Sequence, residues 1–148
     1  MIQISPHIYL FQRLVGNVYM LIDHDQIVLI DTGLAGSAPP ILRSIRKLGF
    51  ALSDLKTILI THSDGDHSGS ITELKAATGA KIYASPIEAD AIRKGVMSRP
   101  LTPKPGQKTA YRLLGSFMPM RQQPVDQILI GGDRFSILGG LETLETPG

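Results

Sequence analysis

Apolar residues along this chain fall into short runs separated by polar or glycine-containing breaks, and the spacing within the runs changes along its length. Ile2, Ile4, Ile8, Tyr9, Leu10 and Phe11 predict an opening pair of short strands interrupted at Pro6. Residues 18–22 and 27–30 are apolar runs on either side of Asp23-His24-Asp25, the pattern of an antiparallel hairpin. After Asp31-Thr32-Gly33 the period lengthens: Ile41, Leu42, Ile45 and Leu48 recur at helical spacing within residues 37–48. Ser37 is the candidate cap, Pro39 and Pro40 suit a first turn, and Gly49 suits the stop.

Residues 56–61 read as the next strand. A second helix is predicted from near Gly69, carrying Ile71, Leu74 and Ala77 before Gly79, then a strand over 81–84. Pro86 opens a third predicted helix with Ile87, Ala91 and Ile92 facing inward. Between Gly95 and Pro124 the periodicity is lost among prolines at 100, 103, 105, 119 and 124. There Tyr111, Leu113, Leu114, Phe117, Met118 and Met120 form either a packed apolar element or a flap over an entrance. Strands are predicted again at 127–130, 135–138 and 141–146, with Gly131-Gly132-Asp133 at a turn. Strands alternating with helices predict an α/β fold, and no internal repeat suggests a solenoid.

Composition narrows this picture. A chain of 148 residues, 43% hydrophobic, supports one modest core, and residues 1–148 are expected to form a single domain. The absence of cysteine removes disulfides, thiolate ligands and a cysteine nucleophile, so any metal must sit on nitrogen and oxygen. No basic-then-apolar leader and no membrane-length apolar run is present, so a soluble, cytoplasmic protein without membrane contact is expected. Net charge is only +2, but Arg93, Lys94, Arg99, Lys104, Lys108, Arg112 and Arg121 follow one another between residues 91 and 125 without an acidic residue. A solvated face explains such a segment; nucleic-acid binding is the weaker reading.

The strongest chemical signal is Thr61-His62-Ser63-Asp64-Gly65-Asp66-His67-Ser68-Gly69, where a strand meets a turn and a helix begins. Four potential ligands, His62, Asp64, Asp66 and His67, converge only if the backbone curls around a point, which small Ser63 and Gly65 permit. Imidazole nitrogen with carboxylate oxygen suits zinc, with manganese and iron as alternatives. The competing structural reading is a helix entrance in which Asp66 accepts backbone hydrogen bonds and the histidines are polar loop residues.

Together with Leu29-Ile30-Asp31-Thr32-Gly33, the opening hairpins and Thr146-Pro147-Gly148, this motif resembles the metallo-beta-lactamase-fold hydrolases. The resemblance covers essentially the whole chain but only the amino-terminal part of a family domain, and it implies a partial αββα fold with a mixed sheet flanked by helices. It implies that His62 ligates a first metal, that Asp66 and His67 serve a second, and that Asp66 also orients the attacking water. Asp31 resembles the aspartate that orients the metal loop. Asp64 stands where the family has its second histidine, and the next ligand histidine would follow Gly148. Asp133, in a turn, is not expected to supply a bridging carboxylate, nor His7 or His24 to be ligands.

The resulting expectation is a metal-dependent hydrolase or hydrolase-like fragment acting on an ester, thioester, lactone or related bond of a small molecule, impaired in isolation. The alternative is a non-catalytic structural or interaction module retaining the fold. Apolar strands needing a cover predict a homodimer or a complementary carboxy-terminal fragment.

Overall fold

The structure, a computed structural model, describes residues 1–12, 14–99, 106, 120 and 122–146. Four strands, β1 (Ile2–Ser5), β2 (Ile8–Phe11), β3 (Val18–Asp23) and β4 (Gln26–Ile30), form an antiparallel meander. The chain then changes mode. Helix α1 (Ala38–Lys47) carries it back so that β5 (Leu55–Ile60) lies parallel to β4, and a single turn α2 (Gly65–Ser68) with α3 (Ile71–Thr78) leads to β6 (Lys81–Ala84), parallel to β5. Helix α4 (Pro86–Lys94) precedes β7 (Gln127–Ile128), which pairs parallel to β6. The seven strands lie in sequence order, and β8 (Arg134–Phe135) with β9 (Leu141–Glu142) make a separate two-stranded ribbon. This is a mixed sheet with helices against it, the expected α/β fold.

Side-chain alternation sorts the strands onto two faces. Val18, Met20, Ile22, Ile27, Leu29, Ile58, Ile60 and Ile82 are buried against Ile41 and Ile45 of α1, Ile71 and Leu74 of α3, and Ala89 and Ile92 of α4. Leu21, Val28 and Leu59 point the other way and meet Ile137, with Phe135, Leu138 and Leu141 packed alongside. Three helices therefore cover one face, and the small ribbon covers part of the other.

Several expectations need adjustment. Ile87, expected inward, is exposed. At about 100° per residue it lies roughly 140–160° around α4 from Ile92 and Ala89, which are the residues that reach the core. Ser37 is not a side-chain cap of α1; Ser70 takes that role from outside the helix, its Oγ accepting the Ser37 and Ala38 N–H groups at 2.9 and 3.2 Å. The tail strands are shorter than predicted. Beyond Ile128 the backbone turns away: the Ile130 N–H donates to Asp133 Oδ2 at 2.9 Å, which gives Asp133 a turn role. Leu138 likewise leaves the strand conformation, with φ 52° and its N–H donating to Asp23 Oδ2 at 2.7 Å. The apolar segment at 111–118 lies outside the described residues. Among the described residues no helix is long and apolar enough to cross a membrane.

Candidate metal centre

The site forms where two adjacent parallel strands end. Asp31 follows β4; its N–H donates to Leu59 O at 2.8 Å, and its φ of 62° is a left-handed conformation that aspartate adopts more readily than most residues. Its buried carboxylate collects the neighbouring strand end. Oδ1 accepts the Thr61 N–H at 2.8 Å, and Oδ2 lies 2.8 Å from both the Thr61 hydroxyl and His67 Nδ1.

These contacts fix the histidine tautomers. The Thr61 hydroxyl has one proton, given to Asp31, so its 2.9 Å contact with His62 Nδ1 requires that nitrogen to be the donor. His67 Nδ1 must also carry hydrogen to bond the Asp31 carboxylate. In their neutral forms both imidazoles therefore keep the lone pair on Nε2. The rings lie together, with centroids 3.9 Å apart. His67 Nε2 lies 3.5 Å from Asp66 Oδ2, close to the roughly 3.4 Å between ligand atoms in a tetrahedral zinc site. The ligand atoms of His62, Asp66 and His67 all lie within 4.8 Å of one another, so two imidazoles whose outer partners are already set, with a carboxylate beside them, fit a divalent cation. The hydrogen bond that His67 donates to Asp31 raises the His67 pKa above its ordinary value against the opposing effect of burial, and the negative charges of Asp31, Asp66 and Asp64 raise it further.

The turn is braced from several sides. Thr32 donates through N–H and hydroxyl to His67 O at 2.7 and 2.8 Å, and the Ser68 hydroxyl donates to Ser63 O at 2.7 Å. Gly69 is required by crowding, since a Cβ there would lie 2.3 Å from Gly65 O and 2.5 Å from Ala35 N. From α4, Glu88 Oε2 accepts the Ser63 N–H at 2.7 Å while Oε1 accepts the Ser98 hydroxyl at 2.7 Å. The Ser98 N–H closes this loop onto Ser63 Oγ at 2.9 Å.

Of the four residues singled out in the sequence, His62, Asp66 and His67 come together and Asp64 stands at the margin. Its Oδ2 is 3.6 Å from His62 Nε2 and 3.2 Å from the Arg99 guanidinium. Its Oδ1 is buried without a hydrogen-bond partner among the described residues. The sequence reading did not find Glu88, Ser98 or Arg99, which sit 25–35 residues beyond the turn in an acidic-and-basic helix and an irregular stretch. Ser70 and Thr61 lay within or beside the motif, but nothing in their spacing marked their partners.

The fold and the cluster define an α/β protein with a His/Asp centre capable of coordinating a metal ion at the ends of its parallel strands. The chain belongs to the metallo-beta-lactamase superfamily, whose family model matches residues 12–148. Among solved structures it is similar to a Cronobacter sakazakii metallo-beta-lactamase with a HARLDQ motif, at 30% identity and TM-score 0.79, covering 99% of this chain and 52% of that one. It is also similar to BJP-1, a subclass B3 metallo-beta-lactamase of Bradyrhizobium japonicum, at 28% identity and TM-score 0.75, covering 99% and 52% respectively. Among curated proteins, a hydroxyacylglutathione hydrolase of Albidiferax ferrireducens is 36% identical over 66 residues, 45% of this chain and 24% of that protein. This chain thus spans about half, or less, of the length of these relatives.

Proposed function

We propose that the chain is the metal-binding part of a hydrolase acting on ester-type bonds, with His62, Asp66 and His67 holding a divalent cation, zinc first and manganese or iron as alternatives. The observation that carries this reading is the pair of imidazoles whose Nδ1 atoms are engaged by Thr61 and Asp31, which turns Nε2 of each towards the cluster with Asp66. A bound cation supplies Lewis acidity towards a carbonyl oxygen and acidifies water. The chain's own residues orient the donors: Asp31 holds His67 and Thr61, Thr61 holds His62, and the Glu88–Ser63–Ser98 bonds keep the turn closed. Asp66 is the catalytic candidate, because its carboxylate can orient water and accept its proton. Names among the relatives point to thioester and beta-lactam substrates, both of which present a carbonyl to attack.

Because those relatives are about twice as long, a complementary carboxy-terminal segment or a second copy of the chain is proposed to complete the active site, and the isolated chain is proposed to turn over weakly in the cytoplasm. The second reading, a non-catalytic module that retains the fold, is favoured by the engagement of Asp64 with Arg99. Metal analysis of the purified chain, with thioester, lactone, beta-lactam and phosphodiester hydrolysis measured before and after adding zinc or manganese, tests both. Uptake of zinc or manganese with slow turnover lost in Asp66→Asn supports the hydrolase. Metal uptake without turnover of any substrate supports the module, and absence of uptake overturns the metal centre.

A further inference from the structure

Asp64 has an unusual pair of surroundings. Its backbone is fixed, since its carbonyl accepts the His67 and Ser68 N–H groups at 2.9 Å each, so only the side chain has freedom to reorient. One carboxylate oxygen is buried without a hydrogen-bond partner among the described residues, and the other is shared between His62 Nε2 at 3.6 Å and the Arg99 guanidinium at 3.2 Å. Arg99 is brought there by its neighbour: Ser98 is bonded through N–H to Ser63 and through its hydroxyl to Glu88. The arginine itself is largely exposed, with 60% of its side-chain surface accessible, whereas only 16% of Asp64 is. A mostly buried carboxylate beside a cation-binding cluster is thus held by a partner that water and salt can reach, which makes the hold weak and displaceable.

We propose that Arg99 is a specificity-determining residue that withholds Asp64 from the cation held by His62, Asp66 and His67, so that Asp64 becomes a fourth, oxygen ligand only when Arg99 releases it. This rests on the reading of the cluster as a metal centre and adds a control over its donor set. With Arg99 engaged, the centre offers two nitrogens and one oxygen. With Arg99 released it offers two of each, and the added anionic oxygen favours manganese relative to zinc, because harder cations gain more from carboxylate ligands.

The test is a double-mutant cycle read by manganese and zinc affinity of the purified full chain, using Arg99→Met, Asp64→Asn and the two combined. Arg99→Met is expected to tighten manganese binding about fivefold, the upper range for an exposed ion pair, and zinc binding by less. Asp64→Asn alone is expected to change either affinity less than twofold, because the carboxylate is already withheld, and to abolish the gain when combined with Arg99→Met. Unchanged or weaker manganese binding by Arg99→Met overturns the proposal. A gain that persists beside Asp64→Asn also overturns it, since the arginine would then repel the cation directly. Absence of metal binding in all four proteins overturns the metal centre itself, an outcome separate from the other two.

Discussion

Asp31 joins two strand ends through one buried carboxylate, and its removal should be felt in both stability and metal binding. Asp31→Ala leaves the Thr61 N–H and hydroxyl and His67 Nδ1 without their acceptor, and should cost about 3 kcal/mol in urea unfolding. Asp31→Asn preserves the shape but not the charge that orients His67, and should weaken zinc binding about 10- to 100-fold. The same contact predicts a pH dependence. The Asp31 hydrogen bond, working against burial, raises the folded-state pKa of His67, so protonated His67 stabilises the fold. That stability is fully present below the unfolded value of about 6.5 and is lost as pH rises through the higher folded value. The metal-free chain should therefore melt at progressively lower temperature as pH increases across that window, and Asp31→Asn should flatten the trend in a calorimetric series. Zinc affinity should rise over the same window, because the proton competes for Nε2. At Asp64 the outcome depends on the donor offered: histidine there supplies a neutral nitrogen that does not pair with Arg99, and Asp64→His should tighten zinc binding, measured by competition with a chromogenic chelator.

The elements were legible in the sequence to the extent that their signals were local. The β3–β4 hairpin announced itself by two apolar runs around Asp23-His24-Asp25, and α1 by four apolar residues at helical spacing before Gly49. Ile87 is apolar yet exposed, because its angular position on α4, and not its apolar character, decides burial. The tail strands end earlier than their apolar runs because the hydrogen bonds that end them, from Ile130 to Asp133 and from Leu138 to Asp23, involve partners that an apolar run does not reveal. The cap of α1 shows the same limit, for Ser70 reaches it from 33 residues away. His62, Asp66 and His67 were found because they are packed into one short turn, whereas Glu88 and Arg99 reach that turn only through the fold. Ser70→Ala should destabilise the chain by about 1.5 kcal/mol, since it strips the acceptor from two N–H groups at the start of α1. Gly69→Ala should be worse, because a Cβ there collides with backbone on both sides rather than with a movable side chain. Chemical denaturation of the two variants under identical conditions checks the order.

At the scale of the molecule, among the described residues, three helices close one sheet face and the β8–β9 ribbon covers part of the other. Ile128, Ile130 and Leu144 are exposed, and the bond from the Thr143 hydroxyl to Ile130 O at 2.6 Å brings the last two segments together. Burying about 400 Å² of such surface contributes roughly 10 kcal/mol before the costs of association. Sedimentation velocity should show a mass that rises with concentration, and replacing Ile128 and Ile130 together by lysine should return the chain to monomer. The sheet's strand order carries a different consequence. Every strand from β1 to β6 pairs with the strand that follows it in the chain. Ribosomal synthesis can lay the strands down in the order they emerge, each new one adding to the edge left by the last. His62, Asp66 and His67 all leave the exit tunnel before β6 does, so the centre's donors are available to a cation before β6 and β7 join the sheet.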